Sequence, residues 1–445
     1  MQKFLLTLCV NIIFCACSST LPTFSYESDS TLKSSIEEKA APAYPQAYFA
    51  VLSDTHIYDT NLGVDGEAFK EYLNNDRKML VQSVEILESA LSDIASKKPQ
   101  FVLISGDLTK DGEISSHELL QKRLYDLKAQ GIQTYVVPGN HDINNSHARS
   151  FHGATTKQIK SAQKEDFARI YADFGYNQAI KKDPDSLSYI IEPVEGLWIF
   201  GLDSTRFREN NMKKDPIVDG KFYPQTLQWI EANLIEANRE GKAVIAFFHH
   251  GLLEHYTGNA TFYPEYLIEN FQAIAKMFAF YNVRMVFTGH FHANDISMQE
   301  FNGKVLYDIE TGSLVSAPSP YRFVTLKDNK AFITTSIVKE IPSVQDFQTF
   351  ATEYTKNGFE VLGKAVMNKF FVSKKDQDIL APYISSAFIA HYRGDEMPQK
   401  DQKLIPDSKE LGMFGKLVLH KKRDLIINIW HDLKPQDNNI VLEFK

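Results

Sequence analysis

Five short polar clusters stand where apolar runs of the chain end, and their residue types are those that hold metal ions and move protons. Val51-Leu52-Ser53-Asp54-Thr55-His56 sets a carboxylate and an imidazole two residues apart, which on an extended backbone face the same side. Ser105-Gly106-Asp107 adds a second carboxylate behind a glycine that lets another backbone come close. Pro138-Gly139-Asn140-His141-Asp142 supplies an amide, an imidazole and a carboxylate, and Phe247-Phe248-His249-His250 and Thr288-Gly289-His290-Phe291-His292 complete the set. A lone Gly-Asp is commonly a turn and a lone histidine commonly a surface group, so it is the conjunction that points to a metal centre. Mixed oxygen and imidazole donors suit Mn, Fe or Zn better than Ca, which prefers oxygen alone. All three cysteines, Cys9, Cys15 and Cys17, lie at the start of the chain, which excludes thiolate zinc sites and disulfides from the body.

Such clusters need a sheet to carry them, because open α/β sheets place their ligands where strands end. From Ala47 onward short apolar runs alternate with helical patterns, which predicts a layered α/β domain. The expected strands are 48–53, 101–105, 134–137, 197–202, 243–248, 284–288 and 305–309. Leu80, Val84, Leu87, Leu91 and Ile94 recur at helical spacing and predict a helix packed on that sheet. Patterns over 224–239 and 264–280 each start with proline at a first-turn position. Residues 322–326, the Lys327-Asp328-Asn329-Lys330 turn and 331–338 read as a terminal hairpin. After Pro342, helical stretches at 344–371, 376–392 and around 421–431 predict a second, all-α domain with Phe347, Phe350, Tyr354, Phe359 and Phe370 in its core.

With 445 residues, 43% of them hydrophobic, the chain has room for up to three domains and is neither wholly disordered nor a disulfide knot. Its 48 Lys and Arg against 56 Asp and Glu leave a net charge of −8, which gives a polyanion no counterion-release gain and disfavours bulk nucleic-acid binding. Met1-Gln2-Lys3, an apolar stretch from Phe4 to Phe14 and Cys15-Ala16-Cys17-Ser18-Ser19 read as an export signal. A membrane span needs about 20 apolar residues, more than this stretch holds. The segment up to Gln46 is rich in Ser, Thr, Pro, Ala and Glu and reads as a flexible tether. The expected organisation is a signal peptide over 1–16, a tether over 17–46, the α/β domain over 47–340 and a helical domain over 341–445.

Phe14-Cys15-Ala16-Cys17 resembles a bacterial lipobox, apart from Phe14, where that pattern usually carries Leu. The resemblance implies a lipid on Cys17 and a domain held at the cell membrane outside the cytoplasm. The five clusters, in order, resemble the blocks of the calcineurin-like metallophosphoesterases: Asp-x-His, Gly-Asp, Gly-Asn-His-Asp/Glu, a His after a hydrophobic strand, and Gly-His-x-His. Gly106-Asp107-Leu108-Thr109-Lys110-Asp111-Gly112-Glu113 is similar to the class III cyclic nucleotide phosphodiesterase branch. Ala390-His391-Tyr392-Arg393-Gly394-Asp395 looks like the C-terminal domain that accompanies some of those enzymes.

The family resemblance implies a four-layer α/β sandwich, two mixed β-sheets flanked by helices, here with a small C-terminal all-α domain. It also implies a centre of two divalent or trivalent metal ions, Mn or Fe with Zn as the alternative. By motif, Asp54, His56 and His292 would hold one ion, Asn140, His249 and His290 the other, and Asp107 both. His250 is the alternative to His249, and otherwise its supporting neighbour. His141 matches the histidine that assists the leaving group, with Asp142 to orient it. In such a centre the paired cations generate the attacking hydroxide and neutralise charge on the phosphoryl oxygens. The implied activity is hydrolysis of a small phosphodiester, foremost a cyclic nucleotide of the 3′,5′-cyclic AMP type. A phosphomonoesterase of the same family and a metal-binding scaffold lipoprotein are the alternatives. Substrate contacts are unknown: His147, Arg149, His152, Tyr256 and Tyr263 read equally as ligand contacts or as ordinary loop and packing residues.

Overall fold

The runs Ala47–Leu52 and Phe101–Ile104 are apolar and buried on both faces, the pattern of strands enclosed between two layers. In the computed structural model, which describes residues 21–74 and 76–444, they pair in parallel with Phe49 opposite Phe101. Gln133–Val136 follows in parallel on the far side. The other edge of Ala47–Leu52 takes Pro320–Lys327, then Lys330–Ile337, then Asn439–Glu443, all antiparallel, which makes a mixed sheet of six strands. A second mixed sheet of seven runs in the order Ile296–Phe301, Lys304–Glu310, Met285–Thr288, Ala243–Phe247, Leu197–Gly201, Tyr189–Val194, Lys181–Lys182. Phe49 and Val51 of the first sheet share one core with Ile245, Phe247 and Phe287 of the second, and Phe49 meets Phe287 edge-on at 5.5 Å.

Helices Ser83–Lys97 and Ile114–Lys128 pack on the first sheet through Ile86, Leu87, Leu120 and Leu124. Pro224–Glu240 and Phe271–Phe280 pack on the second through Ile230, Leu234, Ile274 and Phe278. Helix, sheet, sheet, helix is the four-layer sandwich that the family resemblance implies. Phe347–Lys369, Lys374–Arg393 and Met413–Ile429 form the C-terminal helical region, where Phe359 stacks on Phe388 at 4.8 Å. Of the five aromatics expected in that region's core only Phe359 is there: Phe347 is buried in the α/β core with Phe350 and Tyr354 packed against it, because the helix starts beside the first sheet, and Phe370 sits at the helix end and is exposed. The chain then returns to the first sheet as Asn439–Glu443, so the boundary drawn at 340 cuts through strands that pair with one another.

Two further expectations are corrected. The pattern over 264–280 is not one helix. Pro264–Tyr266 makes a single 3₁₀ turn, then the N–H groups of Ile268 and Glu269 bond to the carbonyls of Gly251 and Gly220, and the helix restarts only after Asn270 at φ 63°. The segment before Ala47 is no tether over its described part: Ser25–Ser28 and Ser30–Glu37 are helices, the second capped by Asp29 accepting from the N–H groups of Thr31 and Leu32. Its few large side chains are the reason. Phe24, Tyr26 and Ile36 are buried against the outer helices of the second sheet, Tyr26 stacks on Phe280 at 4.3 Å, and Tyr44 Oη donates to the Val244 carbonyl at 2.8 Å. The expected signal peptide and Cys17 lie outside the described residues. Among those residues no helix is long and apolar enough to cross a membrane.

Candidate metal centre

Each strand that faces the junction of the two sheets releases its polar cluster at the same end. Asp54 and His56 follow Ala47–Leu52, Asp107 follows Phe101–Ile104, Asn140 follows Gln133–Val136, His249 follows Ala243–Phe247, and His290 and His292 follow Met285–Thr288. The backbone there is not extended, as the Asp-x-His spacing had suggested. Asp54, His56, Asp107, His290 and His292 have φ of 51°, 38°, 48°, 74° and 70°, because the chain must turn sharply where sheet pairing stops. Two glycines permit the closeness. A Cβ on Gly139 would lie 2.2 Å from the Asp107 amide nitrogen and Oδ1, and one on Gly289 would lie 1.9 Å from Ser53 Oγ.

The ligand atoms converge. His292 Nε2 is 3.2 Å from Asp54 Oδ1 and 3.3 Å from His56 Nε2, while His56 Nδ1 faces the Thr109 carbonyl at 3.3 Å. Asp107 Oδ2 lies 3.6 Å from His56 Nε2 and 3.2 Å from His249 Nε2, between the two groups. His249 Nε2 is 3.0 Å from Asn140 Oδ1, and His290 joins Asp107 and His249 as a third donor. His250 turns away: Ser204 Oγ takes its Nδ1 at 2.8 Å and the Val218 carbonyl its Nε2 at 2.9 Å.

Burial disfavours charge on Asp54 and Asp107, yet His292 and His249 hold them well below the usual carboxylate range. Burial, with Lys78 near, pushes His56 down to about 3, and burial keeps His290 neutral as well. Asp54 Oδ1 is buried and accepts no hydrogen bond, and beside it the Nε2 atoms of His56 and His292 face one another, with burial lowering the pKa of both rings. Burial opposes charge on His249, but Asp107 outweighs it and pushes His249 up to about 9, so that ring would exchange its proton for a cation; ionised oxygens and imidazole nitrogens pointing at common space fit two cations, with Asp107 in both groups. Cations held there would supply the activated water and the charge neutralisation that hydrolysis of a phosphoric ester requires.

His141 stands beside this cradle with Nε2 4.0 Å from Asp107 Oδ2. Its Nδ1 lies 2.6 Å from the Lys110 carbonyl and 2.9 Å from Asp111 Oδ1, so Asp111, not Asp142, orients the ring. Asp142 is fully committed elsewhere. It accepts from the N–H groups of Gly139 at 2.8 Å, Leu108 at 3.0 Å and Thr109 at 2.9 Å, and from Thr109 Oγ1 at 2.9 Å, which ties the Gly-Asp loop to the Gly-Asn-His loop. Lys110, itself buried, bonds Asp111 and reaches Glu113 at 3.0 Å. Burial opposes charge on Asp111, but Lys110 and His141 hold it well below the usual carboxylate range. Burial and Lys78 also oppose charge on His141, and Asp107 and Asp111 outweigh them, raising its pKa above that of a free histidine.

A cavity of about 180 Å³ opens onto the cradle, and Arg77, Lys78 and Tyr266 line it together with His141. Sequence reasoning had passed over these three. Arg77-Lys78, a basic pair between the first strand and its helix in an acidic chain, was the available signal. The segment containing His147 and Arg149 lines a different surface hollow. His152 is exposed, while Tyr256 is buried and stacks on Phe291 at 5.8 Å. Tyr263 packs against Tyr266, Phe291 and Phe388.

A four-layer sandwich whose strand ends gather carboxylate, amide and imidazole donors beside an acid-held histidine has the architecture and donor set of a metal-dependent phosphoesterase site. The calcineurin-like phosphoesterase family matches residues 47–294, more than half of the chain, and the chain belongs to that family. Over 100 residues, 22% of its length, it is 35% identical to a protein of Vesicomyosocius okutanii subsp. Calyptogena okutanii (strain HA) named "Probable cyclic nucleotide phosphodiesterase". The chain spans 35% of the length of that curated relative. Among solved structures, a dimetal phosphatase from Danio rerio aligns with TM-score 0.47 and 17% identity over 67% of this chain and 98% of the other. A purple acid phosphatase from yellow lupin (Lupinus luteus) seeds aligns with TM-score 0.39 and 12% identity, over 69% and 54%.

Proposed function

We propose that the protein is a phosphodiesterase acting on small diesters, with a cyclic nucleotide of the 3′,5′-cyclic AMP type as its foremost substrate and Mn or Fe, alternatively Zn, as its ions. The observation that carries this reading is the sharing of one cavity by the metal cradle, His141 held by Asp111, and the cations Arg77 and Lys78. Breaking a diester expels an alkoxide, a poor leaving group that needs a proton, and a positioned imidazolium contributes about 10²–10⁴-fold. The cavity is smaller than the roughly 300–1,000 Å³ of sites that enclose a whole drug-sized ligand, and so takes the phosphoryl group and the atoms beside it. Arg77 and Lys78 counter the diester's negative charge. The 35% identity over 100 residues to a protein named as a probable cyclic nucleotide phosphodiesterase supports this reading.

The test is turnover of bis-p-nitrophenyl phosphate, p-nitrophenyl phosphate and 2′,3′- and 3′,5′-cyclic AMP by protein lacking residues 1–20 and loaded with Mn²⁺. Diester turnover, 3′,5′-cyclic AMP included, that vanishes in Asp107→Ala is expected. Monoester turnover alone overturns the diesterase reading, and no turnover with Mn, Fe or Zn favours the scaffold. We further infer, from the leader sequence alone, export and attachment through a lipid on Cys17. Cys17→Ala should move the protein from the membrane to the soluble fraction, and a variant that stays with the membrane refutes the anchor.

A further inference from the structure

Ala390-His391-Tyr392-Arg393-Gly394-Asp395 closes the helix Lys374–Arg393 and enters a buried acidic junction with the second sheet. Asp295, at the start of Ile296–Phe301, is 1% exposed. Its Oδ1 accepts from His255 Nδ1 at 2.6 Å, while its Oδ2 accepts no hydrogen bond and faces His391 Nδ1 at 3.6 Å. His391 Nδ1 also meets Glu396, whose Oε2 is likewise buried without a hydrogen bond. One atom each of Asp295, His391 and Glu396 lie within 4.8 Å of one another, the same convergence that gathers the catalytic ligands. Asp432 stands beside them with Oδ1 buried and unbonded.

The fixed positive charge of this junction, Arg322, attracts Asp295 through space but donates no hydrogen bond to the side-chain oxygens of Asp295, Glu396 or Asp432. Arg322, 0% exposed, donates to the main-chain carbonyls of Asp437, Glu310 and Asp295 and to Thr335 Oγ1. Carboxylates withdrawn from water must be paired, protonated or bound to metal.

We infer that Asp295, His391 and Glu396 hold a further divalent transition ion, distinct from the catalytic pair, that fastens the C-terminal helices to the second sheet. One imidazole with two carboxylates, and Asp432 as an additional oxygen donor, is a ligand set for Mn²⁺ or Zn²⁺ rather than Ca²⁺. The bond from His255 to the far oxygen of Asp295 fixes that carboxylate, as outer partners of metal ligands do. Because the ligands come from two distant parts of the chain, binding of the ion adds to the docking of one part on the other.

The test loads the full chain with Mn²⁺, removes the excess, counts ions per chain and maps them by anomalous scattering in crystals. Three ions per chain are expected, with a peak between Asp295, His391 and Glu396. Glu396→Gln should lose that ion alone and keep the other two, and Asp107→Asn should keep the junction ion while its catalytic sites weaken. Two ions in the unaltered chain and no peak at the junction overturn the inference, the carboxylates then sharing protons instead. Should Glu396→Gln not fold, the anomalous map of the unaltered chain decides.

Discussion

Left-handed backbone at Asp54, His56, Asp107, His290 and His292 carries a cost of roughly 1–3 kcal/mol per residue, and it persists because neighbouring bonds over-determine it. Asp54 N–H donates to the Gly106 carbonyl and His56 N–H to that of Asp107, while Gly289 N–H donates to that of His249. The strained loops thus hold one another. At this scale the sharpest prediction concerns Asp111. Its carboxylate stabilises the imidazolium form of His141, so Asp111→Asn lowers the His141 pKa and moves the alkaline limb of the pH–kcat profile to lower pH, with kcat down about 10-fold or more. His141→Ala costs about 10²-fold or more in kcat with metal content unchanged. An alkaline limb that stays in place in Asp111→Asn removes the role given to that residue. The metal donors were legible because each sits inside a contiguous motif. Asp111 was not, since the partner of an imidazole is set by how loops cross, and Asp142, adjacent in sequence to His141, points the other way.

Among the elements, the end of Lys374–Arg393 does more than add bulk. Tyr392 Oη accepts from Arg77 Nε at 2.8 Å, the guanidinium lies 5.4 Å from the Phe359 ring centre, and Gly358 leaves room for the Arg77 stem, so the C-terminal helices brace a cation of the catalytic cavity. Hydrogen bonds to charged groups are worth about 1.5–3 kcal/mol, and Arg77→Ala is expected to raise KM for the diester roughly 10–100-fold while kcat changes little. Tyr392→Phe, which leaves Arg77 present but unbraced, should raise KM about 3–10-fold; steady-state kinetics on the same substrate checks both. Strands with unbroken apolar runs were read to within a residue or so of their ends. Tyr189–Val194 and Ile296–Phe301 were missed because Glu192, Gln299 and Glu300 interrupt the apolar pattern, and 264–280 was misread because bonds to Gly251 and Gly220 outbid helical propensity there.

For the molecule as a whole, residues 21–46 are a structural part. Ser25 N–H donates to Glu231 Oε1 at 2.7 Å, and the Tyr44 ring lies 4.8 Å from that of Phe444, so the first and last described stretches meet. Burying side chains such as Phe24, Tyr26 and Ile36 is worth about 1.5–3 kcal/mol each before ordering costs. Protein starting at residue 47 should therefore melt roughly 5 °C or more below protein starting at residue 21, by calorimetry, and equal melting temperatures would contradict the packing described. Composition averaged over 17–46 hid this, because a few aromatic residues decide whether a polar stretch docks. The layered architecture, by contrast, was evident from the alternation of strands and helices and from the order of the five motifs.

The position of Asn439–Glu443 gives the protein a timetable. A ribosome has made every catalytic ligand, and all the helices after Pro342, before it makes this strand, yet the strand borders the sheet that carries Asp54 and Asp107. Until it arrives, Lys330–Ile337 remains an edge open to pairing with a neighbouring chain. Completion of the sheet is thus deferred until the C-terminal helices have been made, and a chain cut before residue 439 would carry this unpaired strand at its surface.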